Sequence, residues 1–135
     1  MDNALTILNV SGPYREPREP VFSYDYAIQR PTWPTPFGVR VKISIADELD
    51  YVKGKLLGQV TGTPGQQVLL NQVLTRRIAD QKLRIADQEG MLSERQDVLI
   101  GPFTGPLNHL FPRLDAWLND EQASLRAEIR QRVRL

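Results

Sequence analysis

The first third of the chain alternates between apolar and polar positions with the period of a β-strand. Apolar residues recur at every second position over residues 22–28 and again over 39–45. Because successive side chains of a strand point to opposite faces, each stretch predicts a strand with one buried face. A shorter apolar run over residues 4–10, which ends at Ser11, predicts another short strand.

Proline-rich segments separate these predicted strands. Six of the ten prolines lie between Pro13 and Pro36, and each fixes its own φ and favours extended geometry in the residue before it. The same stretch is rich in aromatic residues, which disordered tails usually lack. We therefore predict that residues 1–43 form an extended arm with two or three short strands. The arm either packs on its own helices or adds to the sheet of a neighbouring subunit.

From residue 44 onwards the apolar period becomes helical, which predicts a helical domain over residues 44–135. A first helix is expected over about 45–60, where two glycines weaken it. The last helix is expected over about 113–134. Taken together, the pattern predicts an α+β fold that is mainly helical, with a long central helix between these two.

The central helix has a clear start and an ambiguous end. Thr63 is a good N-cap, Pro64 suits the first helical position, and Gln66 completes a capping box. The helix is predicted over residues 64–97 unless it breaks at Gly90, a residue that commonly ends helices.

One pentapeptide, Arg-Ile-Ala-Asp-Gln, occurs twice in this helix, at 77–81 and 84–88. Ile78, Ile85 and Leu92 follow at intervals of seven, which is the spacing of a coiled-coil seam. However, glutamines occupy the intermediate seam positions, and the pattern lasts only about two heptads. Two interpretations remain open: an amphipathic helix packed in its own domain, or a helix that self-associates.

Length and composition set the outer limits. The 135 residues suit one domain, and the absence of cysteine excludes disulfides and cysteine-based metal sites. A net charge of +1 argues against a whole-chain field that attracts nucleic acid. No apolar run approaches the roughly 20 residues of a membrane span, and the N-terminus lacks the features of a secretory signal. We expect cytoplasmic synthesis and no membrane span.

Candidates for catalysis are few. His109 is the only histidine, and no nucleophile or orienting group accompanies it in a recognisable motif. Asp47, Glu48 and Asp50 fit the first turn of a helix, where the helix dipole favours acids, better than they fit a metal loop. We therefore expect no catalytic residues, no metal and no cofactor.

The last predicted helix carries arginines at Arg126, Arg130 and Arg134, at intervals of four. Guanidinium groups on one helical face can contact phosphates, and such contacts make binding depend on salt. The simpler interpretation is a solvated face, which Glu121 and Glu128 partly balance. This stripe supports an alternative function: a small nucleic-acid-binding or regulatory protein.

An aromatic arm, a long capped helix and an absent catalytic set are jointly typical of structural subunits in large assemblies. The leading hypothesis is a non-enzymatic assembly subunit, of the virion or phage-tail type (head, neck, tail or baseplate). Its partners would be further copies of itself and other protein subunits, and it would be incorporated into a virion or comparable particle. This inference rests on architecture, which by itself does not fix function. The predicted interface residues are Phe22, Tyr24, Tyr26, Trp33, Leu74, Ile78, Ile85 and Leu92.

Overall fold

A computed structural model describes residues 4–44, 52, 64–92, 98–101 and 111–133. Within these residues the structure shows four strands: β1 (Thr6–Arg15), β2 (Val21–Gln29), β3 (Phe37–Ser44) and β4 (Val98–Ile100). The two helices whose bounds lie in the described ranges have 25 and 23 residues: α1 (Pro64–Gln88) and α2 (Phe111–Val133). The α+β class is confirmed. The expectation of a mainly helical chain is not, because strands of 10, 9, 8 and 3 residues form a substantial sheet.

The strands form one mixed sheet in the order β1-β2-β3-β4. β1 pairs antiparallel with β2 and β2 pairs antiparallel with β3, whereas β3 and β4 are parallel. The strands predicted over 22–28 and 39–45 thus pair with each other within one chain. Two features differ from the sequence prediction. β1 continues past Ser11 to Arg15, and the three-residue strand β4 was not predicted.

α1 covers one face of the sheet and supplies most of the helical part of the core. The inner face presents Tyr24, Tyr26 and Ile28 from β2, and Val39, Val41 and Ile43 from β3, all of them buried. Leu74 and Ile78 of α1 pack in the same cluster and are fully buried. The arm details are therefore not confirmed, since β2 and β3 lie in the chain's own sheet. The division into an arm and a helical domain stays a prediction, although this core contains residues from both.

α1 ends at a glycine cap. Gly90 has φ +71, and its N–H donates to the carbonyl oxygen of Asp87 at 3.1 Å. The N–H of Met91 donates to the carbonyl oxygen of Ala86 at 2.9 Å, which completes a Schellman motif. Since glycine adopts positive φ without a Cβ penalty, this residue ends the helix at the earlier of its two predicted ends.

α2 packs against α1 in the antiparallel direction. Arg113, at the start of α2, binds Glu89, just past the end of α1, with 2.7 Å between Nη1 and Oε1. Near the other end, Arg77 of α1 binds Glu128 of α2 at 2.8 Å. The buried side of α2 consists of Trp117, Leu118, Leu125 and Ile129.

Several sequence predictions lie outside the described residues. Of the helix predicted over 45–60, only Val52 is described, and it is helical and fully buried. The other predictions outside the described part are Asp47, Glu48, Asp50, Thr63, the stretch 93–97, His109 and Arg134. No helix within the described ranges is both long enough and apolar enough to span a membrane.

Candidate functional site

The predicted interface residues lie mainly inside the chain. Tyr24, Tyr26, Trp33, Leu74, Ile78 and Ile85 belong to the hydrophobic core and are between 0% and 8% exposed. Phe22 and Leu92 are partly buried and pack against that core. At this level of burial the six core side chains stabilise the monomer, so an apolar surface for a neighbour has to consist of other residues.

β1 presents such a surface. Among the described strands it pairs only with β2, so it forms one edge of the sheet. Three large apolar side chains on this strand are exposed: Ile7 by 39%, Leu8 by 54% and Tyr14 by 48%. An edge strand offers backbone hydrogen-bonding groups to another chain, and exposed apolar residues add burial to that pairing. Sequence reasoning missed this surface because periodicity does not show which strand forms an edge.

Two irregularities shape this edge. The pairing of β1 with β2 shifts register between Ile7 and Asn9 and again between Ser11 and Tyr14. Gly12 lies in the second irregularity with φ +126, and a Cβ built there would be 2.8 Å from the carbonyl oxygen of Ser23. Bulges bend an edge and limit indiscriminate pairing, so this edge favours a partner of matching shape.

A row of hydrogen bonds joins the sheet to the exposed flank of α1. The hydroxyl groups of Tyr24 and Thr75 lie 3.0 Å apart, and the Tyr26 hydroxyl donates to Oδ1 of Asp80 at 2.5 Å. Nε of Arg76 donates to the same carboxylate oxygen at 3.1 Å. Burial raises the pKa of Tyr26 well above its usual range, and the hydrogen bond to Asp80 adds to this shift. Burial also raises the pKa of Tyr24, against the opposing effect of the Thr75 hydrogen bond.

These raised pKa values predict a loss of stability at alkaline pH. The neutral phenols contribute fully to the stability of the fold below the ordinary tyrosine pKa of about 10. This contribution is lost as the pH rises further, because the unfolded state gives up its phenol protons first. Between its unfolded and its folded pKa, each phenol lowers the free energy of unfolding by about 1.4 kcal/mol per pH unit. Urea unfolding between pH 9 and pH 12 should show a shallower slope for Tyr26→Phe, and a shallower one again when Tyr24→Phe is added. Equal slopes in all three proteins would contradict this prediction.

Lys82 of α1 is completely buried, and its Nζ donates to the carbonyl oxygen of Lys42 in β3 at 2.7 Å. A buried ammonium group is costly unless it is hydrogen-bonded, so this contact ties the middle of the helix to the end of the strand. Its role is structural, since it joins α1 to the backbone of β3.

A second polar region lies between the two helices. Arg77 of α1 contacts Glu128 at 2.8 Å and Glu121 at 3.6 Å, both on α2. These two acids, which the sequence suggested as balancing the arginine stripe of α2, thus bind Arg77 of α1. Arg126 and Arg130 of that stripe are exposed. Sequence reasoning missed Arg77 because its partners lie on a different helix.

No group of three or more potential metal ligands occurs in the parts of the chain that the structure describes. Two candidate surfaces in the described residues are the β1 edge, with Ile7, Leu8 and Tyr14 exposed, and the polar region between α1 and α2. Comparisons with protein-family models, with curated proteins and with solved structures find no significant match to this chain.

Proposed function

We propose that the chain is a non-enzymatic structural subunit of a large protein assembly, of the virion or phage-tail type, and that it contacts its neighbours through the β1 edge. The observation that carries this proposal is an edge strand of ten residues with three exposed large apolar side chains. The contacting element is a strand of the chain's own sheet and not a free arm, because the aromatic residues of the N-terminal third mostly face α1.

The physical basis is strand addition. A neighbouring strand placed beside β1 gains main-chain hydrogen bonds along the edge, and side chains at alternate positions provide specificity. At about 3.3 Å per residue, β1 offers an edge of roughly 33 Å. Covering Ile7, Leu8 and Tyr14 removes further apolar surface from water, at about 25 cal/mol per Å². A monomer with such an edge can pair with one more strand from a neighbouring subunit.

The test is the molecular mass in solution over a range of protein concentrations. The unmodified chain should form oligomers whose mass rises with concentration, and Leu8→Lys and Tyr14→Lys should remain monomeric, because charged side chains on an edge oppose pairing. Val68→Lys is the matched control, since Val68 is 55% exposed and lies on α1, which is not part of the sheet. Its mass should match that of the unmodified chain.

Two outcomes would contradict the proposal. One is a monomer at every concentration, and the other is association that Val68→Lys abolishes as completely as Leu8→Lys does. Thermal unfolding of each variant verifies that the substitutions at these exposed positions leave the fold intact.

The second candidate is a nucleic-acid-binding or regulatory protein that uses Arg126 and Arg130. One observation favours it: Arg126 and Arg130 are exposed on α2, and Glu121 and Glu128 of the same helix bind Arg77 of α1. Its signature is an affinity for nucleic acid whose logarithm falls with the logarithm of salt concentration.

A further inference from the structure

A cleft of about 310 Å³ lies between α1 and α2, near the C-terminal end of α2. On the α1 side it is lined by Gln72, Arg76 and Asp80, and on the α2 side by Glu128 and Arg132. Arg77 and Val73 complete the lining. Three guanidinium groups and two carboxylates therefore surround one cavity, and all five charges come from two helices that pack against each other.

The carboxylates hold the guanidinium groups in place. Nε of Arg76 donates to Asp80 at 3.1 Å, and that carboxylate also accepts the hydrogen bond of Tyr26. Glu128 lies between two arginines, at 2.8 Å from Arg77 and at 3.7 Å from Arg132. Side chains oriented in this way lose less conformational freedom when they bind a ligand.

Two of the three arginines keep donors for a ligand. Arg76 bonds to Asp80 through Nε, and within the described residues its two terminal amino groups make no further hydrogen bond. Among the described residues, Arg132 has only a long contact with Glu128, and its side chain is 60% exposed. Arg77, by contrast, is 30% exposed and directs its terminal amino groups to Glu128 at 2.8 Å and to Glu121 at 3.6 Å. Arg76 and Arg132 are thus the side chains that face an incoming group.

The chemistry of the cleft selects an oxyanion. Guanidinium forks match the geometry of phosphate oxygens and bind them through paired hydrogen bonds. The amide of Gln72 supplies a neutral donor beside them. A metal cation is disfavoured because guanidinium groups outnumber the carboxylates of the lining and both carboxylates already bind arginine.

We propose that this cleft binds a phosphate group between the guanidinium groups of Arg76 and Arg132. The group comes either from free phosphate or from a nucleic-acid backbone, since both present the same oxygens. This inference is independent of the β1 edge, which lies on a different element and has its own test.

The test is a titration with inorganic phosphate, followed by NMR of the backbone amides at constant ionic strength. The unmodified chain should show saturable shifts centred on Gln72, Arg76 and Arg132. The double variant Arg76→Gln/Arg132→Gln should bind about tenfold more weakly, because two charge-assisted hydrogen-bonding groups are lost. Arg113→Gln is the matched control, since Arg113 forms an exposed ion pair with Glu89 at the other end of the helix pair. It should bind phosphate like the unmodified chain.

Absent shifts, or equal binding by the double variant and the unmodified chain, would overturn the proposal. The single variant Arg132→Gln is a control for misfolding, because the one ion pair that it removes within the described residues is the long contact with Glu128. If this single variant is folded and binds phosphate more weakly than the unmodified chain, the site is supported.

A second arm uses a short DNA duplex and identifies the source of the phosphate. If Arg76→Gln/Arg132→Gln weakens both phosphate and duplex binding, the site is supported and its phosphate comes from a nucleic-acid backbone. If it weakens only phosphate binding, the site is supported and takes free phosphate. Duplex binding that Arg126→Gln/Arg130→Gln abolishes, with no response to phosphate at the cleft, overturns the cleft site and supports the second candidate function.

Discussion

Replacing Ile78 with alanine is expected to lower the free energy of unfolding by about 2–5 kcal/mol, because the side chain is fully buried against the sheet. Small domains are stable by only about 5–15 kcal/mol, so this loss is a large fraction of the total stability. The measurement is urea unfolding followed by circular dichroism. Ile85→Ala should behave similarly, since Ile85 is 3% exposed.

The same substitution separates the two interpretations of the repeated pentapeptide. If Ile78 packs inside the monomer, the loss of stability is independent of protein concentration. If it formed a coiled-coil seam between chains, the loss would depend on concentration and the mass in solution would fall. Val68→Ala is the control on the same helix, and its exposed position predicts a change within about 0.5 kcal/mol. A concentration-dependent loss for Ile78→Ala would contradict its assignment to the monomer core.

The second large effect is expected at Gly12. Alanine there should cost about 2–4 kcal/mol, because φ +126 disfavours any Cβ and the new atom would lie 2.8 Å from the carbonyl oxygen of Ser23. Since that oxygen belongs to the backbone of β2, relief requires β1 to move away from its partner. The substitution should therefore also impair the proposed contact at the β1 edge.

Two other glycines separate the two causes of this loss of stability, the positive φ and the steric clash with the Ser23 carbonyl oxygen. Gly90 has φ +71 but no atom within 4 Å of a built Cβ, so Gly90→Ala isolates the backbone strain and should cost about 1–2 kcal/mol. Gly101 has neither feature, so Gly101→Ala should cost less than about 0.5 kcal/mol. Urea unfolding of the three variants gives the ranking. A Gly12→Ala variant as stable as Gly101→Ala would show that the register shift at Gly12 is not as described.

The strongest local patterns in the sequence predicted their elements well. The stretches 22–28 and 39–45 correspond to β2 and β3. Their apolar residues alternate with polar ones, so all the apolar side chains of a strand lie on one face, whichever element covers that face. The proline after Thr63 and the glycine at 90 marked the limits of α1 for similarly local reasons. Arg76 and Asp80, and Glu128 and Arg132, form ion pairs at a spacing of four that a single helix dictates.

The sequence left a question open wherever the answer depended on which element packs against a residue. The aromatic residues at 24, 26 and 33 indicated a surface that must be buried, and the sequence left open whether the cover is the chain's own helix or a neighbour. In the fold, Thr75 and Asp80 accept or share the hydrogen bonds of the two tyrosine hydroxyls, more than fifty positions away along the chain. A buried tyrosine needs such a partner, and no local pattern reveals it.

Local patterns in the sequence therefore indicated the elements: two amphipathic strands, a long helix with two possible ends, and a last helix with an arginine stripe. Which apolar and charged side chains are buried and which are exposed depends on how these elements pack together. The tertiary structure buried Ile78 and Ile85 under the sheet, turned Glu121 and Glu128 towards Arg77, and left β1 as an edge with Leu8 and Tyr14 exposed. The reason is physical: periodicity fixes which side of an element is apolar, whereas burial depends on which other element packs against that side.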